Sequence, residues 1–126
     1  VIHSRWATKR VVEVLSEMRA RNVLLHAFSG SHKDVKKAVE NKWFISIPPS
    51  ISYSKSLKDV ALKTPLENMM LESDSPVLAP VKGERNVPSN ILSTIEVISS
   101  LKGMSQEKIA KATFRNSIRF FKLKPV

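Results

Sequence analysis

Four short apolar runs, each followed by a stretch of helical period, govern what this chain can fold into. Ile2-His3, Val23-Leu24-Leu25-His26, Trp43-Phe44-Ile45-Ser46-Ile47 and Met69-Met70-Leu71-Glu72 read as strands. They are rich in aliphatic, aromatic and β-branched side chains, as expected of strands covered on both faces. Between them, apolar residues recur at spacings of three and four, the period of an amphipathic helix. Alternation of this kind predicts a parallel sheet with helical crossovers. Four such strand–helix units amount to half of an eight-stranded barrel.

The punctuation refines the helices. Ala7, Val11, Val12, Leu15 and Met18 mark a first helix over residues 5–21. Ser31 with Asp34 three residues later resembles a capping box and opens a second, with Val35, Ala38 and Val39 on its apolar face. Pro48-Pro49 ends the third strand, residues 50–56 read as a loop, and Leu57, Val60 and Ala61 mark a short helix broken at Thr64-Pro65. Pro88 suits the first turn of a helix whose stripe is Ile91, Ile95, Ile98 and Leu101, with Gly103 just past its end. Ser105 starts a last helix through Phe121, expected to be interrupted near Phe114-Arg115.

The 126 residues are 42% hydrophobic and 25% charged, the balance of a water-soluble domain. No apolar run is long enough to span a membrane. The chain has no cysteine, which excludes disulfides and thiolate metal sites and is compatible with the cytoplasm, the expected location. The first residues carry no basic, then long apolar, leader pattern. They read as the closing residues of a strand, so the chain is expected to be a piece of a longer one. With 21 Lys and Arg against 11 Asp and Glu, the net charge is +10. That favours polyanionic partners, although many lysines sit on helix faces that solvent would cover. Aromatic residues are only 6% of the chain, so base-stacking platforms are not indicated.

The stretch Leu71-Glu72-Ser73-Asp74-Ser75-Pro76 carries two carboxylates two residues apart. A strand running to Ser75 would aim both at one face, and Pro76 cannot extend a ladder. Asp74 would then sit at the C-terminal mouth of a strand, where barrel enzymes place their chemistry. His3 and His26 also fall at strand ends. In a parallel sheet these ends lie on one side, so two imidazoles and a carboxylate can converge there. That donor set suits zinc, and also manganese or iron. The separations carry no local signature such as H-E-x-x-H. His32, among lysines, reads as solvated.

Taken together, Val1-Ile2-His3-Ser4-Arg5, Leu24-Leu25-His26-Ala27-Phe28-Ser29-Gly30-Ser31, Leu71-Glu72-Ser73-Asp74-Ser75-Pro76 and Arg85-Asn86-Val87-Pro88-Ser89-Asn90-Ile91 resemble, in order and spacing, the TatD family of metal-dependent hydrolases. The end of the chain, from Leu101-Lys102-Gly103-Met104-Ser105 to Phe120-Phe121, is similar to that family's C-terminal end. The resemblance implies an α/β fold: the C-terminal half of a TIM-type (β/α)8 barrel, four parallel strands with flanking helices, over residues 1–126. It implies a deoxyribonuclease using one or two divalent ions (Mg, Mn or Zn), with DNA as substrate and no membrane partner. His3 and His26 match two histidine ligands. Asp74 matches the aspartate after the last strand, a metal ligand and the expected catalytic base. Arg85 and Asn86 match a substrate-binding loop, with Arg85 near phosphate, and Glu72 is expected to orient a ligand rather than bind metal.

One departure is large. The family's first half supplies an H-x-H pair and a metal-bridging acid, and no H-x-H occurs here. The expectation is a chain weak or inactive alone, exposing one apolar side of its sheet, and needing the other barrel half in cis or in trans. Two other readings stand beside it: a hydrolase of a non-nucleic-acid ester or amide, and a non-catalytic basic binding or assembly module.

Overall fold

The computed structural model describes residues 1–124. Strands β1 (Ile2–His3), β2 (Leu24–His26), β3 (Phe44–Ile47) and β4 (Met69–Leu71) form one sheet in the order β1-β2-β3-β4. All neighbours are parallel, with His3 opposite His26, Leu25 opposite Ile45 and Ser46 opposite Met70. Helices α1 (Thr8–Glu17), α2 (His32–Glu40) and α3 (Lys55–Lys63) make the crossovers, and α4 (Ile91–Lys102) and α5 (Gln106–Phe121) follow β4.

Strand alternation sorts the sheet residues into two layers. Leu25, Ile45, Ile47 and Met69 face the helices and share the main core with Val12, Val35, Ile98 and Ile109. Leu24, Phe44 and Met70 point the other way and form a second cluster with Phe120. Phe120 packs edge-on to Phe44 at 5.6 Å, and the Arg119 guanidinium lies 5.0 Å from the centre of the same ring. The expected bare apolar side is therefore covered at this level: Leu24, Phe44 and Met70 are 5%, 7% and 2% exposed.

Several element ends differ from the sequence expectation for identifiable reasons. α1 is shorter than residues 5–21 because Trp6 (φ 61°) and Arg19 (φ 50°) adopt left-handed backbone at either side of it. Residues 50–56 are not simply a loop, since Pro49–Ser52 form a 3₁₀ turn that buries Pro49, Ser50 and Ile51. α5 is continuous through Phe114 and Arg115. The buried Asn116 amide gives its hydrogens to Leu66 O (2.8 Å) and Met69 O (2.7 Å), bracing α5 against the entry to β4. The Ser31–Asp34 capping box forms at the start of α2 as the sequence reads, and Gly103 (φ 61°) ends α4. Gly30 must lack a Cβ, because one built there would stand 2.4 Å from the Phe28 ring and 2.8 Å from Thr8 Cγ2.

Candidate metal centre at the strand mouth

Parallel pairing places the C-terminal ends of the four strands on one side, and the polar residues gather there. His3 ends β1 and His26 ends β2, in register, with their rings 5.5 Å apart and tilted by 39°. β4 stops at Leu71, before the carboxylates. The Glu72 amide still reaches Ile47 O at 3.3 Å, and the chain then turns away, with Asp74 in left-handed backbone (φ 53°). A strand running to Ser75 is thus corrected. Glu72 and Asp74 meet the same imidazole because the chain curls over it, not because a strand alternates.

The meeting is specific. Glu72 Oε2 accepts the Nδ1–H of His26 at 2.6 Å and the hydroxyl of Ser46 at 2.5 Å. A carboxylate only accepts, so the proton of the neutral ring is fixed on Nδ1 and the lone pair on Nε2. That nitrogen faces Asp74 Oδ1 at 3.7 Å, too far for a hydrogen bond. Two donors about 2.1 Å from one tetrahedral zinc lie roughly 3.4 Å apart, so this pair needs to close by only a few tenths of an ångström to share an ion. In chemistry and spacing, His26 and Asp74 fit a divalent metal, with His3 beside them. In number the set is incomplete: among the described residues no group of three His, Cys, Asp or Glu side chains is close enough to hold an ion.

The four histidine and carboxylate side chains do not share one environment. His26, Glu72 and Asp74 are 23%, 15% and 30% exposed, a partly screened trio. Glu72 Oε1 is buried with no hydrogen-bond partner. His3, by contrast, is open to solvent. Ser46 was not singled out by the sequence. The signal for it was available in the alternation of β3, which puts Ser46 on the same side as Phe44, one layer nearer the mouth.

The loop after β4 divides the two residues expected to bind substrate. Asn86 is buried, and its amide hydrogens go to Ser73 O (2.5 Å) and Val77 O (2.8 Å). Its oxygen accepts from the Val87 amide and the Asn90 side chain, both at 2.9 Å. With its side-chain polar atoms bonded inside the protein, Asn86 holds the Asp74 loop in shape. Arg85 is fully on the surface and does not line the cleft described next.

A cleft of about 430 Å³ opens over this mouth. His3, His26 and Asp74 line it, together with Arg5, Trp6 and Tyr53. Trp6, Ala27, Asp74 and Leu78, all in left-handed backbone, also line it. Strained backbone concentrated around one cleft is a mark of functional sites.

The chain is similar to several known proteins. The family model for TatD related DNase matches residues 1–122. Human deoxyribonuclease TATDN3 is 39% identical over 120 residues, covering 95% of this chain and 44% of that protein. YabD of Bacillus subtilis, an uncharacterized metal-dependent hydrolase by name, is 33% identical over 129 residues, covering 98% of this chain and 51% of that protein. Among solved structures, the TatD homolog YJJV of Escherichia coli superposes with a TM-score of 0.87 at 25% identity, over 97% of this chain and 49% of that one. A TatD family hydrolase of Entamoeba histolytica has the same fold, with a TM-score of 0.80 at 18% identity, over 94% of this chain and 48% of that one. The chain spans about half the length of the curated relatives it matches. The four parallel strands and their helices are part of a TIM-type barrel, and the chain belongs to the TatD-related DNase family.

Proposed function

We propose that this chain provides the C-terminal part of a metal-dependent hydrolase that cleaves phosphodiester bonds of DNA. The observation that carries it is the His26 ring, held through Nδ1 by Glu72 with Nε2 directed at Asp74. A histidine whose other nitrogen is fixed by a carboxylate is the usual form of a metal ligand. His3, His26 and Asp74 would hold the ion, and the remaining donors would come from the complementary barrel half, in cis or in trans. When bound, a divalent ion lowers the pKa of a coordinated water and polarises a phosphoryl oxygen. Asp74, on the cleft side of His26, accepts the proton of the attacking water. Glu72 keeps His26 in the correct tautomer and orientation.

A second reading follows from one observation. Among the described residues, Arg5 is the only Lys or Arg that lines the cleft, so the +10 charge lies mainly elsewhere. A less charged ester or amide would also be accommodated. The test is hydrolysis of single- and double-stranded DNA and of small esters by the protein with its barrel complete, with added Mg²⁺, Mn²⁺ or Zn²⁺. DNA cleavage that disappears with chelator and with Asp74→Ala, the fold being retained, is the expected result. Ester cleavage without nuclease activity, or near-normal DNA cleavage by Asp74→Ala, would overturn the proposal.

A further inference from the structure

Trp6 is 97% exposed, three residues beyond His3 and on the wall of the same cleft. An indole normally contributes by being buried, and this one is held out in solvent. Its backbone is left-handed (φ 61°), a conformation that a bulky side chain rarely takes. Tyr53, 45% exposed and following the 3₁₀ turn after β3, lines the same cleft. Arg5, the residue before Trp6 and also exposed, adds a cation to the cleft lining. The cleft lining thus combines the polar His3, His26 and Asp74 with an exposed aromatic rim of Trp6 and Tyr53. A nucleotide has the same division into an anionic phosphate and a flat, apolar-faced base.

We propose that Trp6 and Tyr53 form a nucleobase-stacking subsite, which takes an unstacked base next to the phosphate presented to the metal centre. The subsite selects single-stranded or frayed DNA, because a paired base offers no free face to an indole. Every base has a π-face, so the subsite is tolerant of sequence. It rests on the DNA-cleaving reading above and adds to it the conformation of the strand.

The chain carries its own probes. Trp43 is 0% exposed and donates its Nε1–H to Ala20 O at 2.8 Å, so its emission reports the fold. Trp6 is the other tryptophan, and its emission reports the rim. The experiment titrates the protein with its barrel complete, without metal, with single-stranded oligodeoxythymidylate and with an abasic strand of equal length and charge, and takes as Trp6 emission the part of the signal that Trp6→Ala removes. Thymidylate is expected to quench and blue-shift the Trp6 emission, and the abasic strand is not. Trp6→Ala is expected to weaken thymidylate binding by about 5- to 100-fold, to leave abasic binding unchanged, and to be rescued by Trp6→Tyr. Equal binding of both strands with Trp6 emission unaltered would overturn the subsite while leaving the DNA reading intact. Binding of neither strand would overturn both.

Discussion

Glu72 does two things through one atom. Its Oε2 holds the His26 ring and the Ser46 hydroxyl, while Oε1 is buried without a partner. The unpartnered oxygen is a cost that a purely structural carboxylate would not need to carry. The carboxylate is explained by its effect on His26, whose Nε2 it leaves free toward the cleft. Glu72→Ala should therefore weaken metal binding by about 10- to 100-fold, measured by calorimetric titration with Zn²⁺ or Mn²⁺ in the completed barrel. A variant that binds like the parent would show that His26 needs no such support. The positions of His3, His26 and Asp74 were legible because each lies at or just past an apolar run. The curl that brings Asp74 back over His26 was not, because it depends on left-handed backbone at an aspartate, for which the sequence offers no glycine as a sign.

At the level of elements, one side chain of α4 adds hydrogen bonds to the end of α3, beside the core the two helices share. Lys102, in the last turn of α4, donates its ammonium hydrogens to Leu62 O (3.2 Å) and Thr64 O (2.8 Å), the free carbonyls at the end of α3. Burial lowers its pKa from 10.5, and the charge of Glu67 opposes that in part. The folded chain therefore releases this proton before the unfolded chain does. Between the lowered value and 10.5 the unfolded state binds more protons, so the contribution of Lys102 to stability rises with pH across that window. Lys102→Met should remove the rise, read as the difference between the two urea-midpoint profiles from neutral to alkaline pH. Parallel profiles would contradict the assignment. Element order and parallel pairing were legible from the alternation of periods. Element ends were less so: Trp6 and Arg19 stop α1 without being helix breakers by type, and Pro48-Pro49 read as a break where the chain makes a buried 3₁₀ turn.

Across the whole molecule, a cluster of cations and the candidate metal centre sit at opposite ends of β4. Lys102, Lys108, Arg115 and Arg119 line a groove beside Leu66 and Glu67, where the chain enters β4. Glu72 and Asp74 lie where it leaves. On the proposed DNA-cleaving reading, the net charge of +10 would act as a long-range field more than through contacts in the cleft. The two ends of the chain's topology are linked through time as well as space. The Glu72 bonds reach 46 residues back to His26 and 26 back to Ser46, joining β2, β3 and β4. A slip of β3 by one residue would turn Ser46 to the helix side, so these bonds can close only after three strands have reached their final alignment. They are expected to close late in folding. Ser46→Ala should accordingly leave the refolding rate nearly unchanged and put its effect into faster unfolding, visible in the two arms of a chevron plot. The carboxylate that sets the His26 tautomer is thereby also a check on the alignment of three strands.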